Sequence, residues 1–165
     1  MYEKIINLIN ENNGIITAKE AENQGISRVH LKKMTDEGII ERIEHGIYVT
    51  NKFIYDEYYI FQIRHPNAIF SYNTALYLYG MTERTPSKMD ITTKRFTNLS
   101  SLKGKVNLYR VSENVFELGK CQVKTAYGNT VNAYNLERTV CDIINNRSTI
   151  DIETANKAIK KCIKS

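Results

Sequence analysis

Residues 27–33 read Ser27-Arg28-Val29-His30-Leu31-Lys32-Lys33, which gathers a hydroxyl, a guanidinium, an imidazole and two ammonium groups into about two helical turns. Arginine can bond a guanine edge or a phosphate, lysine neutralises phosphates, and a valine methyl can meet a thymine methyl. At ~100° per residue, Leu31 and Met34 point one way, with Ser27 between them and toward a core. Val29, Lys33 and Asp36 point the other way, flanked by Arg28 and Lys32, with His30 at the edge. The N-terminal half of a recognition helix usually makes the base contacts, which favours Arg28 and Val29 over Asp36. Farther along, Arg42 and His45 can reach a flanking backbone or the minor groove. The expected DNA-binding set is therefore Ser27, Arg28, Val29, His30, Lys32, Lys33, Arg42 and His45. The alternative is a face of solvated charges on a helical module that contacts protein.

Other chemistries find less support. Cys121, Cys141 and Cys162 lie some twenty residues apart without a CxxC pair, and His30, His45 and His65 are equally scattered, so the spacing of a zinc site is missing. Thiols kept reduced in a cytoplasmic cell compartment are expected. Asp90, Glu137 and Asp142 are the carboxylates that a metal-dependent nuclease would need to converge, yet nothing local brings them together, and no glycine loop cradles a phosphate. Ser71 lacks a nearby His or Lys to activate it as a nucleophile and reads as a helix cap. Tyr55, Tyr58, Tyr59, Tyr72, Tyr77 and Tyr79 read as packing residues with wet hydroxyls. Neither catalysis nor a cofactor is expected.

The elements that must carry these residues follow from periodicity and punctuation. Apolar residues at Tyr2, Ile5, Ile6 and Ile9 mark an amphipathic helix closed by Asn12-Asn13-Gly14. A short extended pair, Ile15-Ile16, precedes a helix opened by a Thr17/Glu20 capping box and ended by Gly25. Ser27 is placed to cap a third helix, and Ile39–Ile43 and Ile47–Thr50 form a hairpin around Glu44-His45-Gly46. That order is the order of a winged helix-turn-helix, assigned to residues 1–50. After a boundary near Thr50–Phe53, residues 53–165 form a mixed α/β domain. Its helices are expected at 56–63, from a Ser71 cap to Tyr79, from an Asn135 cap with Leu136, Val140, Ile143 and Ile144 on one face, and at 152–163. Its extended segments are expected at 89–93, 106–111, 122–126 and 130–134. The fold class is α+β.

The 165 residues carry a net charge of +5, an asymmetric sum: residues 1–50 hold 6 basic and 8 acidic side chains, residues 51–165 hold 17 and 10. The excess favours an anionic partner, though the reading module itself carries −2. No apolar run approaches the ~18–20 residues of a membrane span, and the start lacks the basic, apolar opening of a signal peptide, so a soluble cytoplasmic protein without a membrane partner is expected.

Three stretches of the second half stand out: Ala68–Gly80 with Thr85-Pro86, Met89-Asp90-Ile91-Thr92-Thr93, and Tyr134–Ile144. Within them, Ser71-x-x-Thr74-Ala75-Leu76 and Glu137-Arg138-Thr139-x-x-Asp142 are the most specific patterns. Together with the Gly46-Ile47-Tyr48-Val49 hairpin, the chain resembles the AbiEi family of abortive-infection proteins, the antitoxins of type IV toxin–antitoxin systems. The resemblance implies a winged helix that binds double-stranded promoter DNA and a C-terminal antitoxin domain that counters a nucleotidyltransferase toxin encoded nearby, without a stable complex between the two. Members usually carry further helical sequence beyond the position of Ser165. Arg84, Lys94, Arg95, Arg110, Glu137, Arg138 and Asp142 are the candidate antitoxin surface. Read on their own, Glu137 meets the positive end of a helix dipole, and Arg138 and Asp142 can pair along the helix, a docking device as readily as a functional surface.

Overall fold

Ile5 and Ile9, one turn apart, press the same face of α1 (Tyr2–Glu11) into the first of the hydrophobic cores. The chain is described by a computed structural model that covers residues 1–146 and 152–164 and divides it into two units, Met1–Tyr55 and Asp56–Ser165. In the first unit, β1 (Ile15–Thr17) leads into α2 (Ala18–Asn23). The capping box is formed there: Glu20 N–H donates to Thr17 Oγ1 (3.1 Å) and Thr17 N–H donates to Glu20 Oε2 (2.8 Å). A turn through Gly25 delivers α3 (Arg28–Asp36). The hairpin strands β2 (Ile40–Glu44) and β3 (Ile47–Thr50) turn through His45-Gly46, where a φ of +72° suits glycine. The sheet order is β1-β3-β2, all antiparallel, with a register shift between Arg42 and Glu44. Leu31 and Met34 of α3 close the core with Ile16, Ala21, Ile26, Ile40 and Tyr48. Three helices thus pack against a small antiparallel sheet, in the element order expected of a winged helix-turn-helix.

Ser27 departs from expectation. It holds the N-cap position of α3, but its side chain makes no capping hydrogen bond, and it is exposed instead of facing the core. Its Oγ shares a hydrogen bond of 2.8 Å with His30 Nδ1. An N-cap residue has extended dihedrals (φ −75°, ψ 153°), so a helical wheel does not apply to it.

The second unit is a five-stranded mixed sheet in the order β6-β5-β4-β8-β7. Its strands are β4 (Ile69–Phe70), β5 (Asp90–Lys94), β6 (Asn107–Val111), β7 (Lys120–Lys124) and β8 (Thr130–Tyr134). β4 pairs antiparallel with β5 and parallel with β8, β5 pairs parallel with β6, and β7 and β8 form a hairpin. The helices are α4 (Glu57–Arg64), α5 (Tyr72–Leu78), the single turn α6 (Glu113–Phe116), α7 (Leu136–Asn145) and α8 (Ile152–Lys164), with a 3-10 turn at Ser100–Leu102. Phe70, Ile91 and Ala133 are in register and share a core with Tyr58 of α4, while Tyr72 and Leu76 of α5 pack with Val140 and Ile143 of α7 and Ala158 of α8. Ile144, expected on the packed face of α7, is 42% exposed, and Thr139 is buried in its stead. The two-residue β4, α6 and the 3-10 turn are too short to leave a periodic signal.

Ser71 also departs from expectation. It stands at the N-cap of α5 without a capping side-chain bond, and its hydroxyl accepts from Thr92 Oγ1 (2.9 Å) on β5. The cap is supplied by Asp90. Its buried carboxylate accepts from the backbone N–H of Asn73 (3.0 Å) and from Asn107 Nδ2 (2.8 Å), while its own N–H donates to Thr74 Oγ1 (2.8 Å). Burial pushes the Asp90 carboxyl above its ordinary range, against the pull of these donors. The folded protein then holds that proton more tightly than the unfolded chain. Asp90's contribution to stability is therefore largest in acid and declines as pH rises from the ordinary carboxylate range through the folded pKa. Asp90→Ala should lower the unfolding free energy at neutral pH by about 2–4 kcal/mol in urea titrations, by orphaning the buried partners, and should remove this component of the pH dependence.

Candidate nucleic-acid interface

The burial of Leu31 and Met34 fixes the rotation of α3 and so decides what it displays. Val29 is 74% exposed, and Arg28, Lys32 and Lys33 are exposed on the same outward side. Arg28 is engaged: its Nε donates to Glu22 Oε1 (2.6 Å) and its Nη2 to Glu22 Oε2 (3.4 Å), across the turn from α2. Both side chains are open to solvent, so the pair is screened and readily exchanged. Lys33 lies 3.9 Å from Glu37 and 6.0 Å from the centre of the Tyr2 ring. Lys32 has no partner among the described residues.

On the hairpin, Arg42 Nη2 donates to His45 Nδ1 (2.9 Å) and its Nε to the Glu44 carbonyl (3.3 Å). The guanidinium is thus held against the turn, with both side chains exposed. The structure brings Ser27 with His30 and Arg42 with His45, and it places Arg28, Val29, Lys32 and Lys33 on one helical surface. Glu22 was missed by sequence reasoning because the Arg28 contact spans six residues and a turn, outside the i+3 and i+4 rule.

The candidate residues of the second unit do not form one surface. Lys94 Nζ donates to Glu113 Oε1 (2.6 Å) and lies over the Phe116 ring. Arg110 spends its Nη1 on the carbonyls of Arg95 (3.0 Å) and Thr97 (2.7 Å), bracketing Phe96, which is 94% exposed. Lys94, Arg95 and Arg110 therefore meet at one end of β5 and β6, and Phe96 is an unforeseen aromatic among them. Arg84 is exposed in the segment before β5, and Glu137 is exposed on the first turn of α7.

Arg138 and Asp142 are not open surface: their side chains are 12% and 17% exposed. Arg138 Nε donates to both Asp142 oxygens (2.9 and 3.0 Å), its Nη1 donates to the carbonyls of Val115 (2.8 Å) and Leu118 (3.0 Å), and it covers the Tyr134 ring. It clamps the end of α6 to α7, next to Gly119, where an added Cβ would stand 2.6 Å from Arg138 Cβ. Burial raises the Asp142 carboxyl, and Arg138 pulls it back. Asp90, Glu137 and Asp142 are thus in three separate environments, and no His, Cys, Asp and Glu group suited to a metal occurs among the described residues. No described helix is long and apolar enough to cross a membrane.

Residues 3–51 match the family described as "Transcriptional regulator, AbiEi antitoxin". The match takes in most of the first unit and ends before the Ser71–Leu76 and Glu137–Asp142 patterns. No curated protein sequence matches the chain. Among solved structures, the RV2827C protein of Mycobacterium tuberculosis superposes with a TM-score of 0.58 at 13% identity over 91% of this chain, a likeness of fold. The chain spans 62% of that protein's length.

Glu22→Gln releases Arg28 and removes a negative charge from the outward face. It should tighten binding to duplex DNA of any sequence by about 2- to 5-fold at low salt, the gain shrinking as salt rises. Fluorescence anisotropy at two ionic strengths measures this, and unfolding should shift by less than ~1 kcal/mol.

Proposed function

We propose that this protein is a DNA-binding transcriptional regulator that represses its own operon and serves as the antitoxin of a type IV toxin–antitoxin system, countering a nucleotidyltransferase toxin encoded nearby. The observation that carries the DNA part is the outward face of α3, where Arg28, Val29, Lys32 and Lys33 stand free of the core on a winged helix-turn-helix whose sequence matches a regulator and antitoxin family. In this reading α3 lies in the major groove, Arg28 exchanges Glu22 for a guanine edge, Val29 meets a thymine methyl, and Lys32 and Lys33 hold phosphates. Arg42 and His45 follow the flanking backbone.

The antitoxin part is supported by that family match and by the resemblance of the second unit, where Lys94, Arg95 and Arg110 cluster beside the exposed Phe96. Arg138 and Asp142 act in it as scaffold.

A gel-shift titration against the upstream region, with scrambled DNA as control, tests the regulator reading; equal affinity for both would overturn it. Arg28→Ala should cost roughly 1–3 kcal/mol of discrimination between operator and scrambled duplex. Lys33→Ala should weaken both equally and flatten the salt dependence by about one unit. For the antitoxin role, charge reversal at Lys94 and Arg95 should reduce rescue of cells expressing the neighbouring toxin while the melting temperature stays put. Arg138→Ala should instead lower stability by about 3 kcal/mol, because it leaves Asp142 half-buried and unpaired. Normal stability with lost rescue would return Arg138 to the functional surface.

A further inference from the structure

Tyr58 and Tyr77, which sequence reasoning assigns to packing, line one cavity of about 420 Å³ in the second unit together with Tyr127 of the β7–β8 turn. The volume lies within the ~300–1,000 Å³ of ordinary small-molecule sites. The Tyr58 and Tyr77 rings are 5.6 Å apart and tilted by 34°, which gives the cavity an aromatic wall, and Tyr127 is 57% exposed at its edge. Two opposite charges complete it: Glu83, from the segment after α5, and Lys124, from the end of β7. Among the described residues, no hydrogen bond or ion pair engages the side chains of Glu83 and Lys124 or the hydroxyls of the three tyrosines. Such unspent polar groups around an apolar hollow are what a bound ligand would use.

The walls are held in place by a buried carboxylate. Asp56, at the start of α4 and next to Tyr58, accepts from Thr125 Oγ1 (2.5 Å) and Asn129 Nδ2 (2.9 Å) on either side of the turn that carries Tyr127. The same turn closes on itself, Thr125 N–H donating to the Asn129 carbonyl (2.8 Å) and Gly128 N–H to the Thr125 carbonyl (3.0 Å). A buried polar network that fixes two walls at once pre-organises the space between them. Burial also pushes the Tyr58 hydroxyl well above its ordinary range, so it stays a neutral donor at any physiological pH.

We infer that this cavity is a nucleotide site: a planar base stacks on the tyrosines, its exocyclic amino group donates to Glu83, and its phosphate meets Lys124. Stacking on aromatic faces accepts any base. The carboxylate is acceptor-only and favours bases that present an amino group over uracil, whose N3–H lies between two carbonyl oxygens that repel it, while lysine serves as a point charge for phosphate. The site would make the protein responsive to a nucleotide whether or not the α3 reading holds.

Isothermal titration of the full chain with AMP, GMP, CMP and UMP tests this. At least one of the three amino-bearing nucleotides should bind saturably at sub-millimolar concentration, with UMP at least 10-fold weaker. Removing the phosphate, or Lys124→Ala, should weaken that nucleotide about 10-fold. Glu83→Gln, which adds a donor at an exposed position, should narrow the margin over UMP, a change of selectivity that loss of fold cannot produce. Tyr127→Ala should weaken all binding, and unchanged circular dichroism would confirm that each variant is folded. No saturable binding of any of the four, binding indifferent to all three substitutions, or preferential binding of L-tyrosine or L-phenylalanine would overturn the inference.

Discussion

Asp90 sits where four parts of the second unit meet: the first turn of α5, the start of β5, the start of β6 and, through Tyr109 two residues along β6 from Asn107, the packing of α5 against the sheet. A carboxylate in that position satisfies N–H donors of α5 that the helix cannot satisfy itself, and its charge faces the positive end of the helix dipole. Its second oxygen takes the Asn107 amide on the adjacent parallel strand. Because Asp90 supplies the cap, Ser71 is released to bond Thr92, and Tyr72 adopts a positive φ of 44° as the chain turns from the two-residue β4 into α5. The Tyr72 ring then stacks on Tyr109 at 4.0 Å, and its hydroxyl accepts from Asn146 Nδ2 at the end of α7. An unusual backbone conformation of this kind persists where surrounding contacts over-determine it.

Buried carboxylates recur as the fasteners of this unit. Asp56 ties α4 to the β7–β8 turn, Asp90 ties α5 to β5 and β6, and Asp142 with Arg138 ties α7 to the end of α6. Each spends its acceptor capacity on named donors, as a buried charge must, since its desolvation is otherwise uncompensated. The same economy governs candidate functional groups. A carboxylate consumed by the scaffold is withdrawn from chemistry, whereas Glu83, Lys124, Lys32 and Arg95 retain their hydrogen-bonding capacity among the described residues. The groups that the scaffold leaves unspent are the ones free to engage a ligand.

In the first unit the corresponding constraint is apolar. The α3 face is defined by what Leu31 and Met34 bury, so its outward charges follow from core packing. Glu22 offsets Arg28 in a weak, screened contact that costs little to break. Together with the negative total of residues 1–50, it keeps general electrostatic attraction to polyanions low.

By itself the sequence determined what short-range geometry dictates. The Thr17/Glu20 box, the Asn135 cap on the Arg138 N–H and the Arg138–Asp142 pair all join residues three or four apart, and a helix places such residues together whatever surrounds it. The order of elements in the first unit was legible for the same reason, since periodicity and glycine punctuation act locally. The tertiary structure alone decided that Asp90 and not Ser71 caps α5, that Arg28 meets Glu22, that Arg138 is clamped beneath α6, and that Tyr58, Tyr77 and Tyr127 border one cavity. The Arg28–Glu22 contact crosses a turn of the first unit, while the others depend on packing and strand register in the mixed sheet, which brings residue 56 to residues 125 and 129 and residue 73 to residue 90. Loop closure over such separations leaves no periodic trace in the chain, and its outcome is set by packing across the whole unit.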